Sequence, residues 1–133
     1  MTQRRDLASW ILLVMGIGAA VNGIWMLLDA VRWFGLLASA TGDLNVHLVR
    51  DVGAAYATVG VALVWAARRP AARLPLTATA AVFLGLHAAG HVFETATGAL
   101  PPDHWVEDVP GVYLPALVTL ILAVRFARGP APA

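Results

Sequence analysis

Four long hydrophobic stretches run along the chain, separated by short segments that collect most of the charged residues. Each stretch is close to the roughly 20 apolar residues that an α-helix needs to cross a bilayer. The pattern predicts an all-α fold, a four-helix transmembrane bundle, and leaves too few residues for a second domain. The last stretch contains Pro115, which predicts either a kink or a backbone carbonyl that finds another partner, because proline lacks a backbone N–H. We therefore expect one transmembrane domain over residues 1–133, with spans at residues 8–28, 46–67, 74–94 and 109–125 and outer loops at residues 30–45 and 95–108.

The composition supports a membrane location. Hydrophobic residues make up 59% of the chain and charged residues 13%, with a mean hydropathy of +0.73. A soluble domain of this composition would have too little polar surface. The lipid bilayer is therefore the first predicted partner. Cysteine is absent, so any metal ion would be bound through nitrogen and oxygen atoms.

The nine arginines are distributed unevenly between the two predicted faces. Seven lie in the N-terminal head, the loop after the second span and the C-terminal tail, which share one face when the number of spans is even. The opposite face holds the other two arginines and seven of the eight acidic residues. Because cytoplasmic segments carry the positive excess, both termini are predicted to be cytoplasmic. Lysine is absent and no basic stripe with interleaved aromatic residues occurs, so nucleic-acid binding has no support.

Ionisable residues occur at one-turn spacing within two of the spans. His47 and Asp51 begin the second span, and His87 and His91 lie toward the end of the third. Residues four apart share one face of a helix, and the second span begins on the side where the third ends. Such residues are costly inside a bilayer and usually functional. The pattern predicts one outward-facing site between these two helices.

The predicted site has the composition of a metal centre. Two histidines four residues apart can bind one ion, and a histidine and an aspartate from a second helix would complete the ligand set. We predict that His47, Asp51, His87 and His91 bind zinc, iron, copper or manganese, with haem as the alternative cofactor. Glu94 is the candidate general base acting on metal-bound water, in a metal-dependent oxidoreductase or hydrolase with a lipophilic substrate. Candidate supporting residues are Arg50, Asn22 and Tyr56.

Other interpretations of the same residues remain open. The polar cluster could be a structural network in a non-catalytic subunit of a larger membrane complex. It could also relay protons or serve quinone chemistry. His104 belongs to the second outer loop, where it would either cover the site or be an ordinary solvated loop histidine.

Small residues are frequent in the predicted spans. Gly16, Gly53, Gly60, Gly85 and Gly90, together with many alanines, permit close approach of helix backbones. They predict a tightly packed bundle and allow association between copies of the chain.

The segment Asn45-Val46-His47-Leu48-Val49-Arg50-Asp51-Val52-Gly53 resembles a segment of small uncharacterised bacterial four-span membrane proteins. The resemblance covers the second span best and the rest of the chain only in general layout. It implies a multi-pass protein of the bacterial inner membrane and no particular activity.

Overall fold

The computed structural model describes residues 6–129 and is helical, with no strand in that part of the chain. The helices are α1 (Leu7–Leu28), α2 (Ala30–Leu37), α3 (Val46–Arg68), α4 (Arg73–Thr97), α5 (His104–Glu107) and α6 (Leu114–Arg128). Short 3-10 helices cover Ser39–Thr41 and Pro70–Ala72, and a π-helical turn covers Val109–Tyr113.

The predicted fold class is confirmed. Four helical segments are long and apolar enough to cross a membrane: Leu7–Leu28, Val46–Arg68, Pro70–Thr97 and His104–Arg128. The first predicted outer loop contains helix α2, for which the Asp29 side chain is the N-cap. The Asn45 side chain likewise accepts a hydrogen bond from the Leu48 amide at the start of α3. These caps fix where α2 and α3 begin because they satisfy amide groups that have no partner within the helix.

Helices α1 and α3 pack backbone against backbone in antiparallel orientation. A Cβ atom added to Gly23 would lie 2.4 Å from the amide nitrogen of Ala57, and one added to Gly60 would lie 2.4 Å from that of Ala20. Gly16 faces the Val64 amide nitrogen in the same way, at 2.7 Å. No side chain fits at these positions, so glycine sets the distance between the two helices.

Only some of the five glycines that were predicted to allow close helix packing lie in a helix–helix contact. Gly16, Gly53 and Gly60 lie in the α1–α3 contact, whereas a Cβ added to Gly85 or Gly90 would meet no atom within 4 Å in the described part of the chain. Gly23 was missed, although its seven-residue spacing from Gly16 matches the spacing of Gly53 and Gly60.

The remaining helices complete the core around α3. Leu12, Leu63, Leu84 and Leu122, one from each long helix, belong to the same buried cluster. Many large apolar side chains elsewhere are exposed on the outside of the bundle. This distribution suits a protein whose outer surface contacts lipid.

An ion pair joins the beginnings of α1 and α4. The guanidinium of Arg73 donates a hydrogen bond of 2.9 Å to the Asp6 carboxylate and another to the Ser9 hydroxyl, and it lies 5.8 Å from the ring centre of Phe126 near the end of α6. The start of α1 and the end of α6 therefore share one end of the bundle, as an even number of spans requires. Arg4 and Arg5, which contribute to the predicted orientation, lie outside the described residues.

Candidate metal centre

A buried carboxylate lies between two imidazoles at the other end of the bundle. His91, on the last turns of α4, places Nδ1 2.7 Å from Oδ2 of Asp108. His104, the first residue of α5, places Nδ1 3.3 Å from Oδ1 of the same carboxylate. We refer to His91, Asp108 and His104 as the His–Asp–His cluster.

The backbone around Asp108 is irregular. The four-residue spacing of His104 and Asp108 puts both side chains on one face of the short helix. The carbonyl oxygen of Asp108 then accepts hydrogen bonds from the amides of Val112 at 2.8 Å and Tyr113 at 3.1 Å, where the π-helical turn begins. Pro115 lies in the first turn of α6, directly after the π-helical turn, and the kink predicted there stays a prediction. Turns of this kind are frequent at functional sites.

Burial makes the cluster electrostatically unusual. Asp108 is 9% exposed and His104 is 8% exposed. A buried carboxylate is costly unless a cation or hydrogen-bond donors compensate it. In the described part of the chain the ion-pair partners of Asp108 are these two histidines, with no arginine among them. Compensation therefore has to come from the imidazoles or from a bound cation.

His87 extends the cluster along α4. Its ring centre is 4.7 Å from that of His91, and its other neighbours are aromatic: Phe83 stacks on it and Tyr56 meets it edge-on. The predicted supporting residue Tyr56 therefore contacts the predicted ligand His87.

Two buried hydroxyl groups lie beside the cluster. Thr95 follows His91 by one turn of α4, and the Tyr113 side chain is close enough to Asp108 and Thr95 to interact with both. Within residues 6–129 neither hydroxyl has a well-formed hydrogen bond. Leaving such groups unpaired costs about 1–3 kcal/mol each, so after a small shift the two hydroxyls bond each other or a water molecule.

The His–Asp–His cluster is the one group of three potential ligand residues found in the described chain. One ligand atom from each residue lies within 4.8 Å of the others. Of the four predicted ligands, this group contains His91 alone. His47 and Asp51 instead pair with each other at 3.4 Å, with side chains 88% and 63% exposed. The predicted set of His47, Asp51, His87 and His91 stays a prediction.

The other predicted site residues lie outside the cluster. Arg50 and Glu94 are exposed. The side-chain oxygen of Asn22 accepts a hydrogen bond of 2.9 Å from the indole nitrogen of Trp33. Asn22 thus joins α1 to α2, a helix-joining role that is common for amides in membrane proteins.

His104 and Asp108 were not predicted as ligands because residues 95–108 were interpreted as an outer loop. The interpretation of His104 as a solvated histidine was wrong, because it is buried against Asp108. A signal was present in the sequence: His104 and Asp108 have the same four-residue spacing as His47 and Asp51.

No protein-family model, curated protein or solved structure matches the chain. The resemblance of residues 45–53 to small bacterial membrane proteins therefore stays a prediction, and the function has to be inferred from the site itself.

Proposed function

We propose that this chain is a metal-binding membrane protein in which His91, His104 and Asp108 bind one transition-metal ion. The observation that carries the proposal is the buried Asp108 carboxylate, which has a histidine nitrogen 2.7 Å from one oxygen and another 3.3 Å from the other. A divalent cation would offset the buried negative charge, and small rotations of the three side chains would open the space that it needs.

The donor atoms restrict the choice of metal. Imidazole nitrogen and carboxylate oxygen suit zinc, iron, copper and manganese. His87, beside His91, is the candidate fourth ligand. If His87 does not bind, a four-coordinate ion keeps one position for water, as catalytic zinc centres do. The Thr95 and Tyr113 hydroxyls are the groups that would bond that water. Glu94 as a general base is less well supported, because its side chain is exposed.

The short distance between His91 and Asp108 also favours a second function, a purely structural one. The 2.7 Å contact between His91 and Asp108 is already a strong hydrogen bond that needs no ion. In that case the cluster would hold α4 against the segment that begins α6. The protein would then be a non-catalytic component of a membrane complex.

Elemental analysis and an optical spectrum of the detergent-purified protein distinguish these functions. We expect about one metal ion per chain, with most of it lost in His91→Ala and in His104→Ala. His47→Ala is the matched control, because it removes a histidine that is exposed, and it should keep the metal. A Soret band would instead identify haem. A metal-free wild-type protein that takes up no added zinc, iron, copper or manganese would overturn the proposal.

A further inference from the structure

A groove runs along the outside of the α1–α3 pair. It has a volume of about 360 Å³ and its walls are mainly apolar; its lining residues are Ala20, Val61, Val64, Trp65, Arg68 and Arg69. From Val61 to Arg69 it follows α3 for about 12 Å. It therefore leads from the interior of the span to the arginine-rich end of the bundle.

The two arginines at the end of the groove have no acidic partner in residues 6–129. Arg73, nearby in the chain, is paired with Asp6, whereas no ion pair or side-chain hydrogen bond of Arg68 or Arg69 occurs in that part of the chain. Both side chains are exposed. Two unpaired guanidinium groups next to an apolar wall match the chemistry of an anionic lipid, whose phosphate is joined to hydrocarbon chains.

Trp65 lies between the apolar and the charged parts of the groove. Its residue surface is 58% exposed, and it lies one turn before Arg69. Tryptophan favours the boundary between hydrocarbon and headgroups. The order from Val61 through Trp65 to Arg68 and Arg69 thus follows that of a phospholipid from acyl chain to phosphate.

We propose that this groove binds one anionic phospholipid. An acyl chain lies along Ala20, Val61 and Val64, and the phosphate accepts hydrogen bonds from Arg68 and Arg69. The inference does not depend on the metal centre, which lies at the other end of the bundle.

Quenching of Trp65 by brominated lipids tests this site. The protein is reconstituted in phosphatidylcholine vesicles, and either brominated phosphatidylglycerol or brominated phosphatidylcholine is added in small amounts. The signal of Trp65 is the difference between wild type and Trp65→Phe. We expect phosphatidylglycerol to quench this signal at a roughly thirtyfold lower mole fraction than phosphatidylcholine, as two lipid-facing arginines would produce.

Two double variants distinguish a lipid bound in the groove from anionic lipid that is attracted to any positive charge at this end of the bundle. Arg68→Gln/Arg69→Gln should abolish the preference for phosphatidylglycerol. Arg125→Gln/Arg128→Gln removes the same charge from the same end, outside the groove, and should preserve it. Equal quenching by the two lipids in wild type would overturn the proposal, and so would an equal loss of preference in both double variants. Inorganic phosphate added at millimolar concentration should not compete; competition by phosphate would show a simple anion site instead.

Discussion

Asp108 is the only acidic residue that is buried in the described chain, so its charge needs a partner more than that of any other carboxylate there. Its carboxylate is buried and bonded only through two histidines in the described chain. Asp51 has the same side chain and one histidine partner, but it is exposed at the surface of the bundle. Comparing the two aspartates therefore measures how much burial of the carboxylate changes the free energy of unfolding.

Asp108→Asn should destabilise the protein much more than Asp51→Asn. The amide keeps the size of the side chain but removes the charge and one of the acceptors that faces the histidines. We expect a loss of about 1–3 kcal/mol in the free energy of unfolding for a buried, hydrogen-bonded group, and a change within about 0.5 kcal/mol at the exposed site. Denaturation in mixed micelles measures both. Equal effects would show that the burial of Asp108 has no energetic consequence.

At the scale of the element, the close packing of α1 against α3 depends on glycine, and the stability of the first turn of α1 depends on Asp6. Hydrophobicity located the long helices because a span must be apolar over its whole length. It could not show which faces meet, since lipid-facing and buried positions are both apolar. The contact between Gly60 and Ala20 could be recognised only after the two helices had been paired.

Gly60→Ala should weaken the α1–α3 contact. The added methyl group would lie 2.4 Å from the amide nitrogen of Ala20, so one helix must move away. We expect a loss of about 1–3 kcal/mol, as for overpacking in a well-packed core. Gly18→Ala is the control, because nothing lies within 4 Å of its added methyl group; it should be neutral or stabilising by about 0.5–1 kcal/mol. An equal loss at Gly18 would contradict the packing described here.

Asp6 should make the stability of α1 dependent on pH. Hydrogen bonds from the Ser9 hydroxyl and amide, with a smaller effect of Arg73, lower the pKa of Asp6 from 3.8 to about 2. Because the pKa is lower in the folded state, the stabilisation is complete above pH 3.8 and is lost as the pH falls toward 2. Asp6→Asn keeps an N-cap side chain but removes the charge, so its melting temperature should change less than that of wild type over this interval. Identical pH profiles would exclude a contribution from Asp6.

At the scale of the whole molecule, sequence and structure agree on four long apolar helical segments. The His–Asp–His cluster shares only His91 with the predicted ligand set, which stays a prediction. The spans were predictable because each is a local property of about 20 residues. His91 was predictable from its spacing to His87, but its partner Asp108 lies 17 residues further along the chain. That contact depends on how the segment after α4 folds back, which hydrophobic periodicity does not encode.

The orientation in the membrane is a prediction at this scale. The Asp6–Arg73 pair and Phe126 bring the described ends of the chain together, and the arginine excess predicts a cytoplasmic location for that end. Reporters fused at the C-terminus should register as cytoplasmic, and reporters inserted near Thr97 as external. An external C-terminus would contradict the topology.

X-ray absorption of the zinc-loaded protein is the most direct test of metal binding by His91, His104 and Asp108. The protein is purified, loaded with one equivalent of zinc and compared with His104→Ala and His47→Ala. We predict a first shell of nitrogen and oxygen atoms at about 2.0–2.2 Å, with two or three imidazoles in wild type and in His47→Ala and one fewer in His104→Ala. A wild-type spectrum without imidazole scattering, or one that His104→Ala leaves unchanged, would contradict this ligand set.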